Sequence, residues 1–273
     1  MEKRQECCLG SLILRKENIV KDYQIPKYLQ AIGLACIPVN DMPDDHPALA
    51  RRPVAAAVLT LVGQDGGYCG VSAICVSDAR KSEIPLPHLL NKTLLPGVAQ
   101  IASAADRATL AMDAMSRRFF VEPALAKLCS GEEAIDPAAM GEQGFDERTA
   151  CRRFSIPMPE IGDADIELAW SRAAPAAAED HALRVATARL MLWAHVEAFR
   201  SARPEPFFEI MLALRDWIDA SEHLKAALAD IGNSRPIRRA DSFAHHYRDY
   251  RQRLAAGDET ARWVSFEDGL FHA

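Results

Sequence analysis

Residues 177–231 read AAEDHALRVATARLMLWAHVEAFRSARPEPFFEIMLALRDWIDASEHLKAALADI, the most apolar long stretch of a 273-residue chain. The spacing predicts two long helices joined by a short proline-containing break. In the second, Phe207, Ile210, Leu214, Trp217, Ile218, Leu224, Leu228 and Ile231 recur three and four apart. Side chains at that spacing share one face of a helix. Glu209, Arg215, Asp219, Glu222 and Lys225 fill the other side. Arg215 and Asp219 stand four apart, a pairing worth about 0.3 kcal/mol on a helix surface. Pro206 suits the first turn, where its missing N–H goes unneeded, and Gly232-Asn233 supplies a stop. Ser221 is a candidate cap, so a kink is expected near Ala220.

The first helix is apolar on two sides. Leu183, Ala186, Leu190 and Trp193 form one stripe; Val185, Leu192, Val196 and Phe199 form another. A helix of that kind is sandwiched between neighbours, and a short link to the next helix predicts antiparallel packing. His195 and both tryptophans of the stretch read as core.

Moving towards the N-terminus, residues 1–80 change character. Ser11–Leu14, Leu34–Val39, Pro53–Val62 and Tyr68–Val76 are apolar runs with strand character. The last two flank Gln64-Asp65-Gly66-Gly67, which predicts a β-hairpin buried on both faces. Ala79–Pro96 is punctuated by three prolines and reads as an irregular crossover; Val98–Phe120 reads as a helix with a small-residue stripe. The expected architecture is α+β, mostly α: a small β-containing module over residues 1–90, then a helical bundle over 91–273. A flexible acidic loop is expected at about 130–150. Residues 131–180 hold twelve Asp and Glu against four Arg, net −8, where the whole chain carries −6.

Such a balance argues against wholesale coating of nucleic acid but leaves room for a local basic site. The seven cysteines are odd in number and irregular in spacing, which points to a reducing cytoplasm rather than a disulfide framework. The longest apolar run, Val54–Val62, falls well short of the roughly 20 residues a spanning helix needs, so no membrane role is expected.

The basic site lies at the C-terminal end. Arg235, Arg238, Arg239, Arg248, Arg251 and Arg253 face Asp241 and Asp249, net +4 within an acidic protein, with His245 and His246 between them. A loop containing Arg235, Arg238 and Arg239 is expected to lead through an Asp241-Ser242 cap into a helix ending near Ala256. Phe243, Tyr247, Tyr250 and Leu254 would face inward. Guanidinium donates paired hydrogen bonds that match phosphate, so Arg235, Arg238, Arg239, His245, Arg248, Arg251 and Arg253 are the candidate nucleic-acid contacts, to DNA or RNA. The competing expectation is that these arginines pair with the protein's own acidic loop.

Two other constellations carry less. Asp41-Met42-Pro43-Asp44-Asp45-His46 gathers three carboxylates and an imidazole, which suits metal-assisted acid–base chemistry, yet it also reads as an ordinary helix start. Cys7-Cys8 and Cys69–Cys75 do not match zinc-ligand spacing. No cofactor and no catalytic residue is assigned.

Cys7-Cys8 with Gly10 and Ile13, then Cys69–Cys75 with Ser77-Asp78 and Ile84-Pro85-Leu86, resemble the N-terminal module of the small version of the large subunit in type IV CRISPR effector complexes. The likeness covers about the first ninety residues. It implies a non-catalytic subunit that contacts protein neighbours and touches target DNA beside a guide RNA. The leading expectation is therefore a non-enzymatic subunit of a multi-protein assembly, contacting nucleic acid through the basic arm. The alternatives are a metal-assisted enzyme centred on Asp41–His46 and a helical module that binds protein alone.

Overall fold

The computed structural model describes residues 26–39, 50–64, 67–78, 85–116, 123–140, 146–160, 162–172, 174–258 and 261. Five strands form one sheet: β1 Tyr28–Pro38, β2 Arg51–Gln64, β3 Gly67–Ser77, β4 Ala99–Ile101 and β5 Ala134–Ile135, in the order β3-β2-β1-β4-β5. β1 and β3 flank β2 antiparallel, and β4 and β5 add parallel to the far side of β1. The expected hairpin is β2–β3, with Gln64 opposite Gly67. Its two strands differ in burial. β2 is enclosed on both faces, whereas Ser72 and Ile74 of β3 are exposed, because β3 lies at the edge of the sheet. Burial on both faces thus holds for only half of the hairpin. Ser11–Leu14 and Asp41–His46 lie outside the described residues.

Helices cover both faces. On one side Ile32, Leu34 and Cys36 of β1, with Ala56 and Val58 of β2, pack against α1 Leu86–Asn91, α2 Ala104–Ser116 and α3 Pro123–Ser130. On the other, Leu29, Ala31 and Ala35, with Ala55, Ala57, Leu59 and Leu61, meet α6 Pro175–Ser201 and α7 Glu205–Asp219. The helix predicted over Val98–Phe120 starts later. Residues 99–101 are strand β4, and the Ser103 hydroxyl accepts from the Asp106 N–H at 3.1 Å, the bond that opens α2. Its buried face carries Thr109, Leu110, Asp113 and Ala114, while Met115 points outward.

α6 is the predicted doubly apolar helix, and it approaches the sheet through small residues. A Cβ placed on Gly33 of β1 would stand 2.0 Å from the Ala182 carbonyl oxygen and 2.6 Å from the Ala186 nitrogen. Only glycine permits that approach. The second helix is shorter than 206–231: α7 ends at Asp219, Ser221 is extended, and α8 Glu222–Ala227 and α9 Ala229–Gly232 follow. The stretch read as an acidic loop carries β5, a 3-10 turn at Pro137–Met140 and α4 Glu147–Arg153; α5 Asp163–Ser171 comes next.

The C-terminal segment also departs from expectation. Residues 235–242 are helix α10, not loop. Pro236 sits in its first turn and Ser234 occupies the cap position in extended backbone. The chain bends at Phe243 and continues as α11 Ala244–Ala255. Tyr247 is buried and Tyr250 half-buried, but Phe243 and Leu254 are exposed rather than inward. Among the described residues no helix is long and apolar enough to cross a membrane.

Candidate functional site

α10 is seated by Pro236, Ile237 and Ala240, which pack into the core beside α7. α11 is seated by Tyr247, whose ring stacks on Phe208 with centroids 4.8 Å apart. The Tyr247 hydroxyl donates to Glu209 at 2.6 Å and the Tyr250 hydroxyl to Glu205 at 3.3 Å. Burial first, then the neighbouring Glu209 charge, pushes the Tyr247 phenol far above its ordinary range, so it remains a donor. With these inner faces anchored, the arginines stand on the outer faces.

Those arginines divide into two groups. Arg251 lies 3.6 Å from Glu209, and Arg253 pairs with Asp258 at 2.8 Å. Arg239 is half-buried and engaged within the protein; burial, then the charge of Arg235, lowers its pKa. Arg235, Arg238 and Arg248 are exposed and form no ion pair among the described residues. His245 is exposed between them, its ring 5.9 Å from that of His246. The proposed contact set is therefore narrower than the charge count suggested: three open guanidiniums, two on α10 and one on α11.

Among the described residues, several carboxylates of the acidic stretch are held away from the arm. Arg189 takes Glu147, Arg51 takes Asp163 at 2.6 Å, and Lys127 takes Glu133 at 2.7 Å. Asp136 accepts from the Ala104 N–H at 3.1 Å and lies 3.8 Å from Arg107. Asp146 caps α4 through the Thr149 N–H at 2.7 Å, which lowers its pKa. Within the arm, Arg251 meets Glu209 of α7 and Arg253 meets Asp258. Arg215 bonds to Asp216 and to Asp241 of α10, not to Asp219 as its spacing suggested.

Beside α11 a groove of about 680 Å³ runs between α7, α11 and the start of β3. Trp217, Leu212 and Ala213 give it an apolar side, and Arg248 and Gln252 line the opposite wall. Both carboxylates of the lining have a cationic or phenolic partner, though Asp216 is bonded through Oδ1 alone and remains largely exposed. Glu209 is held by Tyr247 and Arg251, and Asp216 accepts from Arg215 at 2.6 and 3.0 Å.

A buried ionic cluster escaped the sequence reading. Arg189 on α6 is enclosed, its Nη1 donating to Asp106 of α2 at 2.5 Å and to the Ile32 carbonyl at 2.6 Å. Its Nε and Nη2 grip Glu147 of α4 at 2.6 and 3.0 Å. Burial alone would lower its pKa, but the Asp106 and Glu147 charges and their hydrogen bonds outweigh that and raise it. β4 ends opposite Ala31, so the guanidinium satisfies the β1 carbonyl that the next strand residue would have met. The only sequence signal was an arginine inside an otherwise apolar helix face. This is a structural clasp rather than a reactive site.

Among the described residues, no thiol is set up as a nucleophile. Cys36, Cys75, Cys129 and Cys151 are unbonded, and burial raises each, Cys36 and Cys151 to about 12 and the other two to about 11. No group of three or more His, Cys, Asp or Glu placed to hold a metal occurs among the described residues. The chain matches no protein-family model, no curated protein and no solved structure.

Proposed function

We propose that this chain is a non-enzymatic, cytoplasmic subunit of a multi-protein assembly, and that it meets the phosphate backbone of a nucleic acid with the outer side of α10–α11. One observation carries the reading. Arg235, Arg238 and Arg248 stand exposed and form no ion pair among the described residues, and they are grouped at one end of an acidic chain, where other exposed arginines such as Arg152, Arg172 and Arg200 are scattered along it. Unpaired arginines close together on one surface cost self-repulsion, and a bound polyanion relieves it. The anchored inner faces of the two helices hold the three positions rigidly, which limits the ordering cost of binding. The reading agrees with the resemblance in the first ninety residues, whose family implies a non-catalytic subunit that touches target DNA. The unbonded thiols agree with a reducing compartment.

The test is a salt titration. Replacing Arg235, Arg238 and Arg248 together by Ala removes up to three phosphate contacts. The slope of log K against log salt should shrink by about 2–3, since each neutralised phosphate contributes roughly 0.7–0.9. Arg253→Ala, which breaks an internal pair, should leave that slope nearly unchanged. An unaltered slope in the triple variant overturns the proposal.

A further inference from the structure

The groove beside α11 adds what a row of arginines lacks, a place for a base. Its apolar side is the half-buried Trp217 with Leu212 and Ala213; its other wall carries the Gln252 amide, which offers both donors and an acceptor. Its volume, about 680 Å³, falls among the roughly 300–1,000 Å³ clefts that hold small ligands. Glu209 is held by Tyr247 and Arg251, and the charge of the largely exposed Asp216 is offset by Arg215 on its Oδ1, so neither carboxylate stands without a counter-charge or donor. That leaves Arg248 as the lining charge with no carboxylate partner among the described residues, and Arg248 also belongs to the open set on α10–α11. The same guanidinium therefore serves the phosphate track and the mouth of the groove.

We infer that this groove receives an unstacked nucleobase from a strand whose phosphates follow α10–α11, so that the protein selects single strands over duplex. The inference rests on the phosphate-binding reading of those helices. A base inside a duplex is stacked on both faces and cannot reach a protein groove without being extruded, whereas a single strand presents its bases freely. An aromatic side chain beside a cationic track is the combination that holds single strands with little regard to sequence, because every base has a π-face. The Gln252 amide then adds hydrogen bonds to the base edge.

Fluorescence anisotropy at one salt concentration tests this with a labelled strand of about a dozen nucleotides, as DNA and as RNA, each alone and annealed to its complement. At least one single strand should bind about ten-fold more tightly than its duplex. Trp217→Ala should abolish that preference while duplex affinity stays the same, and Trp217→Phe should restore most of it. Trp217 also packs against the core. Ala213→Phe, which fills the groove without removing a core contact, is the second variant, and it should erase the preference too. The two sugar chemistries report which strand the site accepts. Equal affinity for single strand and duplex, both weakened by the triple arginine replacement, overturns the groove inference and leaves the surface reading standing. Binding of neither form overturns both.

Discussion

His195 shows how much one buried side chain fixes. Its ring lies between Phe154 and Phe207, each 4.9 Å away, and Nδ1 donates to the Met191 carbonyl at 2.8 Å. Burial lowers its pKa from 6.5 to about 4, so the folded protein holds it neutral where the unfolded chain is already protonated. The unfolded state binds the proton first. The contribution is complete above pH ~6.5 and is lost as pH falls towards ~4, by about 3 kcal/mol. His195→Phe keeps the aromatic packing and removes the titration. Denaturant midpoints measured between neutral pH and pH ~4 should fall less steeply for that variant than for the parent. Parallel curves would exclude His195 as the cause. Its place in the core was legible from its position on an apolar stripe. The Arg189 clasp was not, because its partners Asp106 and Glu147 lie on helices whose packing no local pattern announces.

At the scale of elements, α6 lies against β1 so closely that Gly33 faces the α6 backbone directly. Gly33→Ala would drive a methyl group into the Ala182 and Ala186 backbone, where no side chain can swing aside. The expected cost is about 3 kcal/mol, read as a loss of unfolding free energy. Gly70→Ala is the control: its added Cβ meets nothing within 4 Å, and its stability should change by less than about 0.5 kcal/mol. Equal effects at the two glycines would refute the tight contact. The hairpin was readable from two apolar runs around an Asp-Gly-Gly turn, and the two long helices from apolar residues recurring three and four apart. β4 and β5 were not, since strands of three and two residues owe their existence to register, β4 against β1 and β5 against β4. α10 was missed because Ser234-Arg235-Pro236 reads equally as a loop and as a helix start; packing of Ile237 and Ala240 beside α7 decides it.

For the whole molecule, the C-terminal helices are a wall of the core rather than an appendage. Ile237, Ala240 and Tyr247 belong to the same apolar cluster as Phe207, Phe208 and the α6 stripe. A chain ending at Asn233 should therefore expose Phe208, bind a hydrophobic dye and melt over a broad range. A sharp melt with no dye binding would mean that the arm is dispensable for folding. The charge pattern was visible in the sequence as an acidic body with a basic end. Which arginines remain open was not, because Arg251 and Arg253, both read as candidate contacts, meet Glu209 on α7 and Asp258 past the end of α11, pairings set by packing rather than by local spacing.

The clasp on the Ile32 carbonyl sets a timetable for biosynthesis. The donor that completes the β1 edge is supplied 157 residues further along the chain. As the nascent polypeptide leaves the ribosome, β1, β2 and β3 emerge long before that guanidinium is translated, and the carbonyl must stay hydrated in the meantime. Contacts of such long range form slowly. A fragment released near residue 90 would also lack β4, α6 and the whole of one covering layer. Its apolar sheet face would stay bare to solvent until the second half of the message had been read, the interval in which a chaperone would matter most to this protein.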